Sequence, residues 1–201
     1  MNVFICGRIP PSVLARIAEH HSVDYHDEDR PILRAELLKR VSDREGLITM
    51  ITEKVDRELL KAAPRLRMVA NHGVGYDNID TDAATEKGVW VSNTPGVLTD
   101  ATADLAFALI LATGRRLAEG DRRTRKGRFR FWAPQHFLGQ EVSGSVLGII
   151  GAGRIGQALA RRAKGFDMTL LYHNRNRLSS EAENRMEMTF CSLPELLSRS
   201  D

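Results

Sequence analysis

The strongest chemical signal in the sequence is Gly-Ala-Gly-Arg-Ile-Gly at residues 151–156, which follows an apolar run and precedes an amphipathic segment. Gly151 permits a tight turn out of a buried strand, Gly153 lets the backbone approach a pyrophosphate, and Gly156 lets the next helix pack closely on the sheet. The start of that helix offers unpaired N–H groups and the positive end of the helix dipole. The stretch therefore predicts a site for dinucleotide phosphates, with an ordinary glycine-rich turn as the alternative.

The residues after the second predicted strand, 168–172, bear on which dinucleotide is bound. In NAD-binding units an acidic residue roughly 20 positions beyond the glycines binds the ribose hydroxyls. Here the stretch holds Asn174, Arg175 and Arg177 and no carboxylate. An amide and two guanidinium groups suit the 2′-phosphate of NADP(H), because they can form charge-assisted hydrogen bonds with it. NADP(H) is therefore favoured, while a solvated basic loop that leaves NAD(H) usable stays open.

A second glycine-containing loop, residues 71–78, follows a predicted strand at residues 68–70. Open α/β sheets bind ligands at the carboxyl ends of their strands. Gly73 and Gly75 leave successive backbone N–H groups accessible, and such amides can form a nest for a carboxylate. The alternative is a plain turn ahead of a helix that Asp80 caps.

Short apolar strands and amphipathic helices alternate from residue 3 to residue 91 and again from residue 146. This order is typical of parallel sheets covered by helices on both faces. The alternation stops near residue 93 and a long helix begins at Asp100, which predicts a domain boundary there. The helix after the glycine stretch is expected to bury Ile155, Leu159 and Ala163 on one face.

Residues 115–130 are rich in arginine and are expected to form the end of the long helix and its solvated exit. Large apolar side chains follow in a segment without periodicity, namely Phe129, Phe131, Trp132, Phe137 and Leu138. An exposed aromatic arm of this kind is more often an interface than a loop left in water. A nucleic-acid partner is disfavoured, because the net charge is only +3.

The composition is that of an ordinary globular protein, with 42% hydrophobic and 27% charged residues among 201. No apolar run is long enough to span a bilayer, and the start lacks the basic and apolar regions of a signal peptide, so a cytoplasmic location without a membrane partner is expected. Cys6 and Cys191 lie in apolar runs where a buried thiol packs well. Neither a disulfide nor a metal site is expected.

Three stretches together carry a resemblance to the D-isomer-specific 2-hydroxyacid dehydrogenases, and within them to the glyoxylate/hydroxypyruvate reductases. They are residues 74–80 (VGYDNID), 93–104 (NTPGVLTDATAD) and 147–157 (LGIIGAGRIGQ). The resemblance implies an α/β fold of two doubly wound parallel domains, flavodoxin-like and Rossmann. Residues 1–99 would form the substrate domain, and residues 100–201 the first half of the dinucleotide-binding domain, with a homodimer contact at about residues 128–143. This second domain is expected to be incomplete, with an unpaired edge along residues 146–150.

The resemblance also implies site residues. Substrate contacts fall on Val74 and Gly75, whose N–H groups would hold the carboxylate, and on Trp132, which could approach the active site of the partner subunit. Cofactor contacts fall on Thr102 near the nicotinamide, on Gly151, Gly153, Arg154, Ile155 and Gly156 at the pyrophosphate, and on Asn174, Arg175 and Asn176 at the adenosine ribose and any 2′-phosphate.

In the reaction that the resemblance implies, NAD(P)H reduces glyoxylate, hydroxypyruvate or another short 2-keto acid to a D-2-hydroxy acid. The expected catalytic arginine, glutamate and histidine lie beyond Asp201, so the chain is identified as truncated at its C-terminus and is expected to be inactive alone. His72 is the only histidine beside the predicted carboxylate loop, and nothing in the sequence pairs it with a carboxylate. A non-catalytic NAD(P)-binding or corepressor-like interaction protein, or an unstable product without function, remains the alternative.

Overall fold

The computed structural model describes residues 1–201, which divide into two compact units, Met1–Gly96 and Val97–Asp201. The predicted boundary lay after residue 99. Both units are built from parallel strands with intervening helices, so the α/β class is confirmed. No helix is both long and apolar enough to cross a membrane.

The first unit is a sheet of five parallel strands in the order β2-β1-β3-β4-β5. Its strands are β1 (Asn2–Ile5), β2 (Ser22–Tyr25), β3 (Gly46–Met50), β4 (Met68–His72) and β5 (Trp90–Ser92). Its helices are α1 (Pro11–Ala18), α2 (Arg34–Val41), α3 (Arg57–Ala62) and α4 (Thr81–Glu86). This is the doubly wound order that puts ligands beyond the carboxyl ends of the strands.

Both faces of the central strands are buried, as expected for a parallel sheet. Phe4 packs with Leu37 and Val69 in one apolar cluster, whereas Ile5 belongs to the cluster on the other face. Completely burying one such side chain stabilises a fold by about 1.5–3 kcal/mol. The N-cap prediction for Asp80 is confirmed, because its carboxylate accepts from the backbone N–H of Ala83 at 2.8 Å.

The second unit contains three parallel strands in the order β6-β7-β8. They are β6 (Val146–Ile150), β7 (Thr169–His173) and β8 (Met188–Phe190). Its helices are α5 (Thr99–Gly114), α6 (Leu117–Arg125), α7 (Arg154–Lys164), α8 (Ser180–Met186) and α9 (Leu193–Arg199). The predicted unpaired edge along β6 is confirmed. The prediction of a buried strand there is wrong, because Ile149 is the only buried residue of β6 and Ile150 is 65% exposed.

Two predictions about the helices of this unit are corrected. Residues 115–130 do not simply end the long helix, because Arg116 adopts a left-handed conformation (φ 52°) that breaks the chain into α5 and a separate α6. Ile155 is 37% exposed, since the face of α7 that packs inward is formed by Gly156, Ala160 and Ala163. Small residues on this face let α7 approach its neighbours closely, which a helix of larger side chains could not do.

Candidate functional site

The glycine stretch forms the predicted turn between β6 and α7. Gly151 has φ 96°, a conformation that L side chains rarely adopt, and Gly153 is the extended residue before the first turn of α7. A Cβ on Gly156 would lie well under 3.0 Å from the carbonyl oxygen of Gly151, which explains the glycine there. A Cβ on Gly153 would meet nothing within 4 Å, so the turn is open at that point.

The N-terminus of α7 is free of competing groups. The N–H groups of Arg154, Ile155 and Gly156 have no acceptor in the protein, and the first partnered amide is that of Gln157, which donates to Gly153 O at 2.9 Å. No side chain caps the helix, and its first turn contains no acidic residue. Three unpaired donors at the positive end of a helix dipole are an arrangement suited to binding an anion.

The glycine turn and the predicted adenosine loop line one cleft of about 460 Å³. Its wall consists of Ile150, Gly151, Gly153, His173, Asn174, Arg175 and Asn176. A larger cavity of about 600 Å³ lies between α5 and β6, but it is mainly apolar and includes none of the predicted site residues. The smaller cleft is the better candidate, because the glycine turn that precedes α7 and polar side chains from the end of β7 both line it, although Arg154, Ile155 and Gly156 do not.

Asn174 joins the two sides of this cleft. Its Oδ1 accepts from the backbone N–H of Ala152 at 2.7 Å, and His173 O accepts from the N–H of Gly151 at 2.9 Å. A backbone N–H can only donate, so this contact fixes the orientation of the Asn174 amide and leaves its NH₂ as the free end. Asn174 therefore offers donors to a ligand, where an aspartate would offer acceptors.

Arg175 and Arg177 lie in the same basic stretch of the sequence, but their surroundings in the structure differ. Arg175 is exposed and makes no hydrogen bond or ion pair within the protein. Arg177 donates through Nε and Nη2 to the two oxygens of Glu183, both at 2.8 Å. Two of the three nitrogens of the Arg177 guanidinium are therefore engaged by a carboxylate, whereas that of Arg175 has no partner in the protein.

Glu183 also accepts from the hydroxyl of Tyr172, at 2.6 Å from Oε1. The hydrogen bonds from Arg177 and then from Tyr172 lower the pKa of Glu183 to about 2. Burial raises the pKa of Tyr172, and the hydrogen bond to Glu183 raises it further. The carboxylate is therefore charged and the phenol neutral across the physiological range.

In the loop that is predicted to bind a carboxylate, residues 71–78, hydrogen bonds hold the backbone carbonyl groups in place. Asn93 Nδ2 donates to Val74 O at 2.8 Å, Asn71 Nδ2 donates to Gly75 O at 2.6 Å, and the N–H of Thr94 donates to Gly73 O at 2.9 Å. The N–H groups of Val74 and Gly75 have no acceptor in the protein. The loop lies at the end of a strand, its carbonyl groups are fixed and two of its N–H groups are free. This arrangement resembles the backbone nests that bind anions.

The remaining predicted residues lie outside the cleft. Thr102 is exposed on α5 and does not line it. Trp132 is 78% exposed in the segment between α6 and β6. His72 is exposed and makes no hydrogen bond to a carboxylate. Nothing in the described geometry makes His72 an oriented acid or base.

The exposed aromatic arm is anchored at its base. Phe137 has φ 61°, and the guanidinium groups of Arg116 and Arg123 lie 4.3 and 4.7 Å from its ring centre. Arg116 Nη1 also donates to Leu138 O at 3.0 Å. The neighbouring apolar side chains are left in solvent, with Phe131 64% exposed.

Sequence reasoning missed several contributors to the cleft. Ile150 lines it as the last residue of β6, which its position before Gly151 could have indicated. Gln157 Nε2 donates to Ala152 O at 3.1 Å and holds the turn from the first turn of α7. The pairing of Tyr172 with Glu183 had no signal in the sequence, because the two residues belong to different elements and meet only after packing.

Comparison with known proteins gives consistent results. Residues 3–198 match the family model described as D-isomer specific 2-hydroxyacid dehydrogenase, catalytic domain. The chain is 51% identical to a glyoxylate reductase of Thermococcus kodakarensis over its whole length. That alignment covers 61% of the relative, so the chain spans less than two thirds of the length of the protein it matches.

Solved structures show the same partial coverage. The TT0316 protein of Thermus thermophilus superposes with a TM-score of 0.92 at 40% identity, over 100% of this chain and 63% of that one. A D-lactate dehydrogenase of Aquifex aeolicus, solved with NAD and lactic acid, superposes with a TM-score of 0.82 at 26% identity, over 100% of this chain and 59% of that one.

Proposed function

Because the chain belongs to the D-isomer specific 2-hydroxyacid dehydrogenase family, we propose that it serves the reduction of short 2-keto acids, glyoxylate or hydroxypyruvate, to D-2-hydroxy acids with NADPH. The observation that carries this proposal is the single cleft in which the glycine turn and residues 174–176 meet beside a free helix N-terminus. A bound nicotinamide cofactor would supply the hydride. This chain would bind the adenosine and pyrophosphate parts of that cofactor.

The residues present fit a phosphorylated dinucleotide. The free N–H groups of Arg154, Ile155 and Gly156 would bind the pyrophosphate, and the open backbone at Gly153 would let it come close. At the ribose, the Asn174 NH₂ and the free Arg175 offer donors only. A 2′-phosphate is purely an acceptor, so this donor set supports NADP(H) over NAD(H).

The loop at the end of β4 is proposed to bind the substrate carboxylate through the N–H groups of Val74 and Gly75. Asn93 and Asn71 would keep these amides aimed outward by holding the carbonyl groups of the same peptide segment. Neutral amide donors orient a carboxylate without themselves taking part in proton transfer. The proton donor and the cation that polarises the keto group are proposed to come from an arginine, a glutamate and a histidine that this chain does not place at the loop.

The aromatic arm is proposed to be the contact of a homodimer. A fixed base at Phe137 and exposed side chains at Phe129, Phe131 and Trp132 match the rigid aromatic anchors of stable interfaces. Such a surface left in water would expose a sizeable apolar patch.

A chimera tests the proposed reaction. The 201 residues are fused to the part of the Thermococcus kodakarensis glyoxylate reductase that the alignment does not cover, and NADPH oxidation with glyoxylate is followed by absorbance. We expect turnover from the chimera, and none from the chain alone. A folded chimera that binds NADPH without turnover would support a non-catalytic binding protein instead. Failure of both forms to bind any dinucleotide would refute the assignment of the cleft.

A further inference from the structure

The loop between β7 and α8 is closed by a hydrogen-bond network around the buried hydroxyl of Tyr172. The hydroxyl of Tyr172, a fully buried residue of β7, accepts from the N–H of Leu178 at 2.9 Å and donates to Glu183 on α8 at 2.6 Å. One phenolic oxygen therefore joins both ends of the loop. Arg177 completes the network with its two hydrogen bonds to Glu183.

The side chain of Glu183 is only 10% exposed, and all its close partners are donors. The guanidinium of Arg177 also lies 5.4 Å from the ring centre of Phe190. Pulling Arg177 away toward a ligand would leave a nearly buried carboxylate without its cation, which is far costlier than breaking an exposed pair. The side chain of Arg177 is 63% exposed, but its Nε and Nη2 are held by the two oxygens of Glu183.

The opposite side of the loop is attached to the glycine turn by Asn174 and Ala152. Between the two attachments stand Arg175 and Asn176, which are exposed and have no hydrogen-bond partner in the protein. The cleft therefore has one guanidinium without a partner, that of Arg175. The loop is held by hydrogen bonds on both sides of Arg175.

We propose that Tyr172, Glu183 and Arg177 form a positioning unit that holds the loop so that Arg175, assisted by Asn174, reads the group on the 2′ carbon of the adenosine ribose. The proposal rests on the proposed dinucleotide-binding function. Arg177 acts through Glu183 and does not touch the ligand. Arg175 is the cation that distinguishes a 2′-phosphate from a 2′-hydroxyl.

Two small probes isolate this part of the cleft. Adenosine 2′,5′-bisphosphate and 5′-AMP differ only in the 2′-phosphate, and each is titrated calorimetrically into the 201-residue chain. One charge-assisted hydrogen bond corresponds to a preference of about tenfold or more for the bisphosphate. Arg175→Gln should remove most of that preference, because it weakens binding of the bisphosphate far more than binding of 5′-AMP.

Glu183→Gln gives the decisive result, because it removes the negative charge and one of the two acceptor oxygens that hold Arg177. If Arg177 is a positioning residue, the released loop loses its alignment and affinity for the bisphosphate falls about tenfold, with 5′-AMP little changed. If Arg177 is itself a phosphate ligand, its release leaves that affinity unchanged or raises it, and the proposal is overturned. Glu195→Gln, which breaks an exposed pair with Arg199 on α9, is the matched control and should change neither affinity.

A double variant separates positioning from general loosening. Arg175→Gln added to Glu183→Gln should cost little more than either alone, because both remove the same contact with the 2′-phosphate. Losses that simply add would overturn the proposal. Tyr172→Phe, which keeps the ring and removes only its hydroxyl, should reproduce the loss if Glu183→Gln does not fold. Binding of neither probe by the unsubstituted chain refutes the dinucleotide site itself, whereas equal binding of both refutes only the assignment of Arg175.

Discussion

Gly156 and Gly153 stand three residues apart in one turn, and the structure predicts opposite consequences for the same substitution at the two positions. In Gly156→Ala the new methyl group would overlap the carbonyl oxygen of Gly151 and lie 3.2 Å from its carbonyl carbon. Both atoms are backbone, so they cannot turn aside as a side chain would. The start of α7 must move away from the turn by several tenths of an ångström.

The energetic cost follows from that displacement. Forcing an extra carbon into a close-packed site costs about 1–3 kcal/mol. For a chain of this size, 1 kcal/mol lowers the melting temperature by about 2–4 °C. We therefore expect Gly156→Ala to melt several degrees lower and also to bind ADP more weakly, since the helix donors shift with α7.

Gly153→Ala is the matched control, because its methyl group meets no atom within 4 Å and its φ of −76° suits any residue. Its melting temperature should stay within about 2 °C of the unsubstituted protein. Its affinity for ADP should nevertheless fall, because the methyl group occupies the opening through which a pyrophosphate reaches the backbone. Both quantities are measured by thermal unfolding and calorimetry. Equal melting temperatures for Gly156→Ala and Gly153→Ala, or unchanged ADP affinity in Gly153→Ala, would refute the account of the turn.

Three further predictions concern other parts of the protein. Arg177 and Tyr172 hold the pKa of Glu183 at about 2, below the ordinary value of 4.5. The stability that Glu183 contributes is therefore complete above about pH 4.5 and is lost as the pH falls toward 2. In urea titrations the free energy of unfolding of Glu183→Gln should decrease less across that pH window than that of the unsubstituted chain. Trp132→Asp should convert a dimer to monomer in sedimentation velocity at micromolar concentration, and a monomeric unsubstituted chain would contradict the proposed interface. Asn93→Ala should weaken oxalate binding severalfold, followed by the NMR shifts of the loop amides, because the carbonyl of the peptide segment loses a hydrogen bond of about 1 kcal/mol.

The sequence alone was enough to predict the parts of the site that depend on short-range geometry. The strand, turn and helix around Gly151 and Gly156 follow from the conformations that only glycine tolerates and from close helix packing. The cap at Asp80 and the parallel α/β class follow from similarly local patterns. These features involve residues a few positions apart, so their spacing in the chain already specifies their spacing in space.

Only the tertiary structure determines which of two residues of the same type is paired within the protein and which is exposed without a partner. Arg175 and Arg177 are indistinguishable in the sequence, yet only one of them meets Glu183, because that carboxylate comes from α8 and the phenol that completes the network comes from β7. Likewise, Ile155 fits the apolar period of α7 but is partly exposed, since the rotation of that helix is set by the small residues that pack inward. Contacts of this kind depend on how whole elements settle against one another, and no local pattern in the chain encodes that arrangement.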